Sequence, residues 1–147
     1  MEWGYVLGLF GVGLCVLLCG IGSALGLRRT GQAAAGILSE DPKKFSKALV
    51  LVVLPATQGI YGFVFGIIAM GSCHVGMEIF QGFQVLLSAL PLAVIGFFSA
   101  AYQGAAAASC IHAVAKKESL SGKLILFPAM VETYAILALV ISLLLIA

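Results

Sequence analysis

The chain has 147 residues, 62% of them apolar and only 10% charged, and its mean hydropathy is +1.15. A soluble domain carries about 25% charged residues, so this composition leaves too little polar surface for a water-soluble globule. The formal net charge of +2 gives no reason to expect a nucleic-acid partner; where the charges fall is the informative part.

A membrane-spanning helix needs about 20 apolar residues. The first candidate covers residues 5–27. Met1–Gly4 contains Glu2 but no Lys or Arg, so it lacks the basic start of a cleaved signal, and the segment is expected to stay as a helix. Gly4, Gly8, Gly11, Cys15, Cys19, Gly22 and Gly26 recur along it at spacings of three and four. Such a stripe lies on one helix face and admits a close neighbour. A basic segment follows, with Arg28, Arg29, Lys43, Lys44 and Lys47.

The second candidate span covers residues 48–71. Leu54, Thr57, Gln58 and Tyr61 stand at i, i+3, i+4 and i+7, on one helix face. Pro55 cannot donate a hydrogen bond and disturbs the turn before it, so carbonyls between Leu51 and Leu54 are expected to be free for a ligand. Residues 72–82 hold no Lys or Arg, and His74 is placed at a membrane face.

The third span, residues 83–111, is the longest and is expected to tilt or project from the bilayer. It carries Gln103 and a second small-residue stripe, Ala89, Ala93, Gly96, Ala100, Gly104 and Ala107. The two stripes together are expected to serve a crowded ring of copies, with the first and third helices inside. His112, at the opposite face from His74, leads into a second basic segment with Lys116, Lys117 and Lys123. The fourth span covers residues 124–146 and contains Glu132.

All eight Lys and Arg residues thus lie in two segments. The positive-inside rule places both in the cytoplasm and both termini outside, which suits a multi-pass protein of the plasma membrane. The four cysteines, Cys15, Cys19, Cys73 and Cys110, form no CxxC pair and are read as small packing residues. The fold class is therefore all-α and integral to the membrane.

The halves repeat. LVVLPATQGIYG (51–62) resembles LILFPAMVETYA (124–135), with Pro55 matching Pro128 and Tyr61 matching Tyr134 at one common interval. The chain divides into hairpins 1–72 and 73–147 in parallel orientation. Gly59 stands in the first where Glu132 stands in the second.

Of the six acidic residues only Glu132 lies inside a span. A charge at that depth costs at least about 2.5 kcal/mol and marks a functional site by default. Counted from the cytoplasmic ends, Glu132, Gln58 and Gln103 share one level, about 10–15 Å deep. A proton needs little beyond the carboxylate, whereas a hard alkali cation must exchange its water shell for several oxygens. Glu132, Gln103, Gln58, Thr57 and a carbonyl near Leu54 offer that number, which favours Na+ over H+. The sequence contains no phosphate-binding loop, catalytic triad or metal-ligand cluster, so the chain is not itself an ATPase.

With LPATQGIYG, SAAYQG and FPAMVETYA in these three helices, the whole chain resembles the proteolipid (c or K) subunit of vacuolar-type rotary ATPases, and especially the sodium-translocating bacterial branch. The resemblance implies sodium coordination by the Leu54 carbonyl, Thr57, Gln58, Gln103 and Glu132, with Tyr61 bonding the carboxylate and closing the site. It also implies a homo-oligomeric ring among membrane lipids and a stator subunit with an essential arginine. Central-stalk subunits would rest on segments 28–47 and 112–123. A proton-carrying version of the ring is the first alternative. A small glutamate-dependent multidrug antiporter and a purely structural scaffold are the others.

Overall fold

The computed structural model describes residues 2–147. It consists of α1 (Trp3–Glu40), α2 (Phe45–Val53), α3 (Thr57–Met70), α4 (Ile79–Lys116), α5 (Ser121–Leu124) and α6 (Leu126–Ile146), with 3-10 turns at Pro42–Lys44, Leu54–Ala56 and Glu118–Leu120. By length and apolarity these make four membrane-spanning units: Trp3–Glu40, Pro42–Met70, Ile79–Lys116 and Glu118–Ile146.

The expected lengths need correction. The third span is not the longest, because α1 and α4 each have 38 residues. The basic segments are also far less loop-like than expected. Residues 28–40 continue α1, since GQAAAG and its neighbours contain no breaker before Asp41 and Pro42. Asp41 then leaves the helical region with φ −145°, and its side chain caps the next turn by accepting from the Lys43 amide at 3.1 Å. Lys117 ends α4 with nearly the same backbone, φ −146°.

The repeat is thereby visible in three dimensions. Trp3 and Ile79 open the two long helices, Glu40 and Lys116 close them, and the interval is the same at both ends. From Pro55 to Pro128 the interval is shorter. The second hairpin therefore has less chain between its turn and its proline, where the α5–α6 break at Ile125 replaces the longer α2.

Close approach of α1 to α4 forms the centre of the molecule. Every residue of both small-residue stripes is buried. Gly4 lies against the backbone of Gly82, Gly11 against Leu86, Gly22 against Phe97, and Gly26 against Ala100 and Gly104. The two stripes thus face each other within a single chain. Within one chain, then, the two stripes make one seam.

Proline breaks are patched by side chains from neighbouring helices. At Pro55 the Thr30 hydroxyl of α1 donates to the Val52 carbonyl at 3.0 Å. Ser23 accepts the Gly59 amide at 2.7 Å, satisfying a donor in the first turn of α3. At Pro91, inside α4, the Leu92 amide donates to Ser142 at 3.2 Å and the Cys19 thiol donates to the Leu92 carbonyl at 3.4 Å. Cys15, Cys19 and Cys110 are buried and free, in keeping with packing roles. Between α3 and α4 the chain reverses through Gly76, whose φ of +87° suits a residue without a Cβ.

At the opposite end the two turns are tied together. Lys44 donates to the Ala115 carbonyl at 2.9 Å, and Lys47 pairs with Glu118.

Candidate ion-binding site

Gln58 comes from the first turn of α3, Gln103 from the middle of α4 and Glu132 from α6. The structure brings all three together, and both glutamine side chains are 0% exposed. Such groups must find partners where water is excluded, and each does.

The carboxylate of Glu132 accepts two hydrogen bonds. Tyr61 donates to Oε1 at 2.6 Å, and Gln103 Nε2 donates to Oε2 at 3.2 Å. Gln103 Nε2 also donates to the Pro128 carbonyl at 3.1 Å. Its amide oxygen accepts from Gln58 Nε2 at 2.7 Å. Thr57 stands 3.3 Å from Gln58 Oε1 and donates to the Leu54 carbonyl at 3.0 Å. Every residue expected from the sequence, Leu54, Thr57, Gln58, Tyr61, Gln103 and Glu132, is thus in one connected network.

Two details differ from expectation. Two of the carbonyls before Pro55 already accept a hydroxyl, Val52 from Thr30 and Leu54 from Thr57, each with a second lone pair remaining. The second is Ser99, which nothing in the sequence singled out. It is 5% exposed, accepts from Gln58 Nε2 at 3.3 Å and donates to the Val131 carbonyl at 3.0 Å. A signal was available, since Ser99 precedes Gln103 by one helical turn in SAAYQG and shares its face.

No buried side-chain nitrogen or oxygen lacks a partner among the described residues. Nor do they contain a His/Cys/Asp/Glu cluster with the makeup of a metal centre. What the level offers is oxygen: the Glu132 carboxylate, the amides of Gln58 and Gln103, the hydroxyls of Thr57, Ser99 and Tyr61, and the Leu54 carbonyl. That donor set suits a hard cation of low charge.

A family model for the C subunit of ATP synthase matches the chain twice, over residues 10–69 and 86–145. The chain belongs to the ATP synthase C-subunit family. One match falls within each pair of long helices. This proteolipid is 44% identical to the V-type sodium ATPase subunit K of Enterococcus hirae, over 97% of this chain and 92% of that one. It is 38% identical to the A-type ATP synthase subunit K of Methanocaldococcus jannaschii, over 95% of this chain and 61% of the relative. Similarity extends to the 16 kDa proteolipid of the V-type proton ATPase of Ovis aries, at 21% identity over 98% of this chain and 93% of the relative. The proteolipid is a multi-pass membrane protein with four spans and a non-catalytic K subunit of the V/A type.

Proposed function

We propose that this chain is the ion-carrying subunit of a V-type rotor ring, and that its cargo is Na+, held at Glu132. The observation that carries the reading is the single buried network joining the Glu132 carboxylate to Gln103, Gln58, Thr57 and the Leu54 carbonyl. Two fully buried amides beside the only intramembrane carboxylate exceed what a proton requires. They match what a cation needs when it gives up its water. The sodium ATPase protein among its relatives points the same way.

In this reading Na+ and the Glu132 carboxylate form a neutral unit, which removes most of the cost of holding either charge in a low-dielectric site. Tyr61 holds the carboxylate's Oε1 and closes the network on the α3 side. An arginine from the stator competes for the carboxylate and releases the ion. Rotation of a ring of copies then carries reloaded sites through lipid. ATP hydrolysis takes place on other subunits, coupled through a central stalk that rests on the turns near Lys44 and Lys117. Those turns face the cytoplasm of a plasma membrane and both termini face out, as the complete Lys/Arg asymmetry indicates. The hairpins divide near residue 72, and only the second bears an ion-binding carboxylate.

The test is carbodiimide modification of the purified ring. Glu132 is expected to be the one modified acid, and Na+ is expected to slow its modification. If sodium gives no protection at any concentration, the ring carries protons. Glu132→Gln is expected to abolish transport with the ring still assembled, and a variant that still pumps would refute the role of this residue.

A further inference from the structure

The sodium reading leaves Ser99 without a task, although it is buried in the same network. We propose that Ser99 is a positioning residue that fixes the direction of the Gln58 amide, so that an oxygen rather than an NH2 faces the ion. This proposal rests on the sodium reading above.

Donors and acceptors decide the direction. A serine hydroxyl has a single proton. A backbone carbonyl can only accept, so at 3.0 Å from the Val131 carbonyl the Ser99 proton is committed there. Toward Gln58, 3.3 Å away, Ser99 then presents lone pairs alone. An amide NH2 satisfies them and an amide oxygen does not. Turning Gln58 over would set its Oε1 against Ser99 Oγ and also against Gln103 Oε1, which now accepts from Gln58 Nε2 at 2.7 Å. Gln103 cannot turn to compensate, because its own NH2 is held by the Pro128 carbonyl at 3.1 Å. The orientation of both amides is thus set by two carbonyls, Pro128 and Val131, on the helix that carries Glu132. Ser99 relays the second of them to Gln58, leaving Gln58 Oε1 on the Thr57 side.

The repeat supplies an internal control. Ser23 stands in α1 where Ser99 stands in α4, within GIGSAL and GFFSAA, at the interval that separates the starts of the two helices. Ser23 likewise ties its long helix to its hairpin partner, through the Gly59 amide at 2.7 Å, but its hydroxyl bonds no residue of the ion network. Fastening the hairpin is therefore common to both serines. Contact with a ligand side chain belongs to Ser99.

The experiment measures sodium protection of Glu132 against carbodiimide in purified rings of the wild type, Ser99→Ala, Ser99→Thr and Ser23→Ala. A neutral hydrogen bond contributes about 0.5–1.5 kcal/mol. The sodium concentration giving half protection is therefore expected to rise up to about tenfold in Ser99→Ala. Ser99→Thr, which keeps the hydroxyl, should restore the wild-type value, and Ser23→Ala should match the wild type. Should Ser99→Ala fail to assemble, Ser99→Cys takes its place with the same expectation. If sodium does not protect the wild type, the ion reading fails and the positioning role fails with it. If the wild type is protected and Ser99→Ala lies within about twofold of it, the positioning role alone is overturned. An equal loss in Ser23→Ala would overturn it too, by reducing Ser99 to a fastener.

Discussion

Removing a ligand oxygen from a cation that has given up its water should be expensive. A hydrogen bond to a charged group contributes about 1.5–3 kcal/mol, and a lost sodium ligand is taken to be of similar size. Gln103→Ala and Gln58→Ala are each expected to weaken sodium protection of Glu132 about tenfold to a hundredfold. Thr57→Ala should act in the same direction but less, since its hydroxyl is already engaged by the Leu54 carbonyl. The same variants should move transport toward protons, measured as the ratio of sodium to proton uptake by vesicles during ATP hydrolysis. An unchanged ratio would count against the amides as ion ligands. At this scale the sequence was informative because a polar residue inside a span is rare, so Glu132, Gln58 and Gln103 stood out on their own. Ser99 did not, because serine is ordinary in transmembrane helices and its importance lies in which single proton goes where. The fate of the Leu54 and Val52 carbonyls was equally hidden. Proline announces that carbonyls are freed, but not that Thr30 and Thr57 will claim them.

Helix ends and seams were legible to different degrees. Four spans follow from apolar length alone. The extra turns of α1 beyond residue 27 did not, because Arg28 and Arg29 read as the end of a span although charge does not stop a helix. Arg29 instead donates to the Ala101 carbonyl of α4 at 3.0 Å and adds to the seam. The small-residue stripes were readable as faces but not as partners. The seam they form has a direct consequence for substitution. A Cβ on Gly104 would meet the backbone of Gly26, and no rotamer change relieves a backbone contact. Gly104→Ala is expected to force α1 from α4 and cost about 1–3 kcal/mol. Gly20→Ala, with open space around the new methyl, should be neutral or slightly stabilising. Thermal melting of the two variants in detergent would separate them, and equal melting points would contradict the seam as described.

The whole molecule carries its own template for assembly. Residues of α1 that meet α4 inside the chain have counterparts at the matching turns of α4 itself. Gly4, Gly11, Gly22 and Gly26 become Phe80, Leu87, Phe98 and Tyr102. Those side chains are largely exposed in the single chain: Phe80 is 75% exposed and Tyr102 is 62% exposed. The opposite face corresponds likewise, with Ile21 of α1 standing where Phe97 stands in α4, and Ile21 is also exposed. If copies repeat the internal arrangement, Phe98 of one copy packs on Ile21 of the next, as Gly22 packs on Phe97 within a chain. Phe98→Cys combined with Ile21→Cys, with the native cysteines replaced, is expected to give ladders of cross-linked oligomers on mild oxidation. Phe98→Cys paired with Val140→Cys should not. Monomers alone from the first pair would exclude this register. At this scale the sequence revealed duplication but not its changing offset, since the match at Pro55 and Pro128 suggests one interval throughout. The shortening before Pro128 becomes visible only when both turns are seen.

The glycine seam also sets where such a ring bends. Inside a chain, backbone lies on backbone at Gly4, Gly11, Gly22 and Gly26, a joint with few side chains to rearrange. If copies meet through Phe98 and Ile21, aromatic and aliphatic side chains would lie between the helices there and could shift rotamers under load. Stiff and compliant joints therefore alternate around the circumference. In such a ring, torque arriving at one copy would turn its four helices as a block, and the elastic twist would collect at the joints on either side. Glu132 on α6 and Tyr61 on α3 bond each other within one copy, in the two hairpins that the seam joins, so the distance between the carboxylate and the group that closes over it would be insulated from the strain of turning.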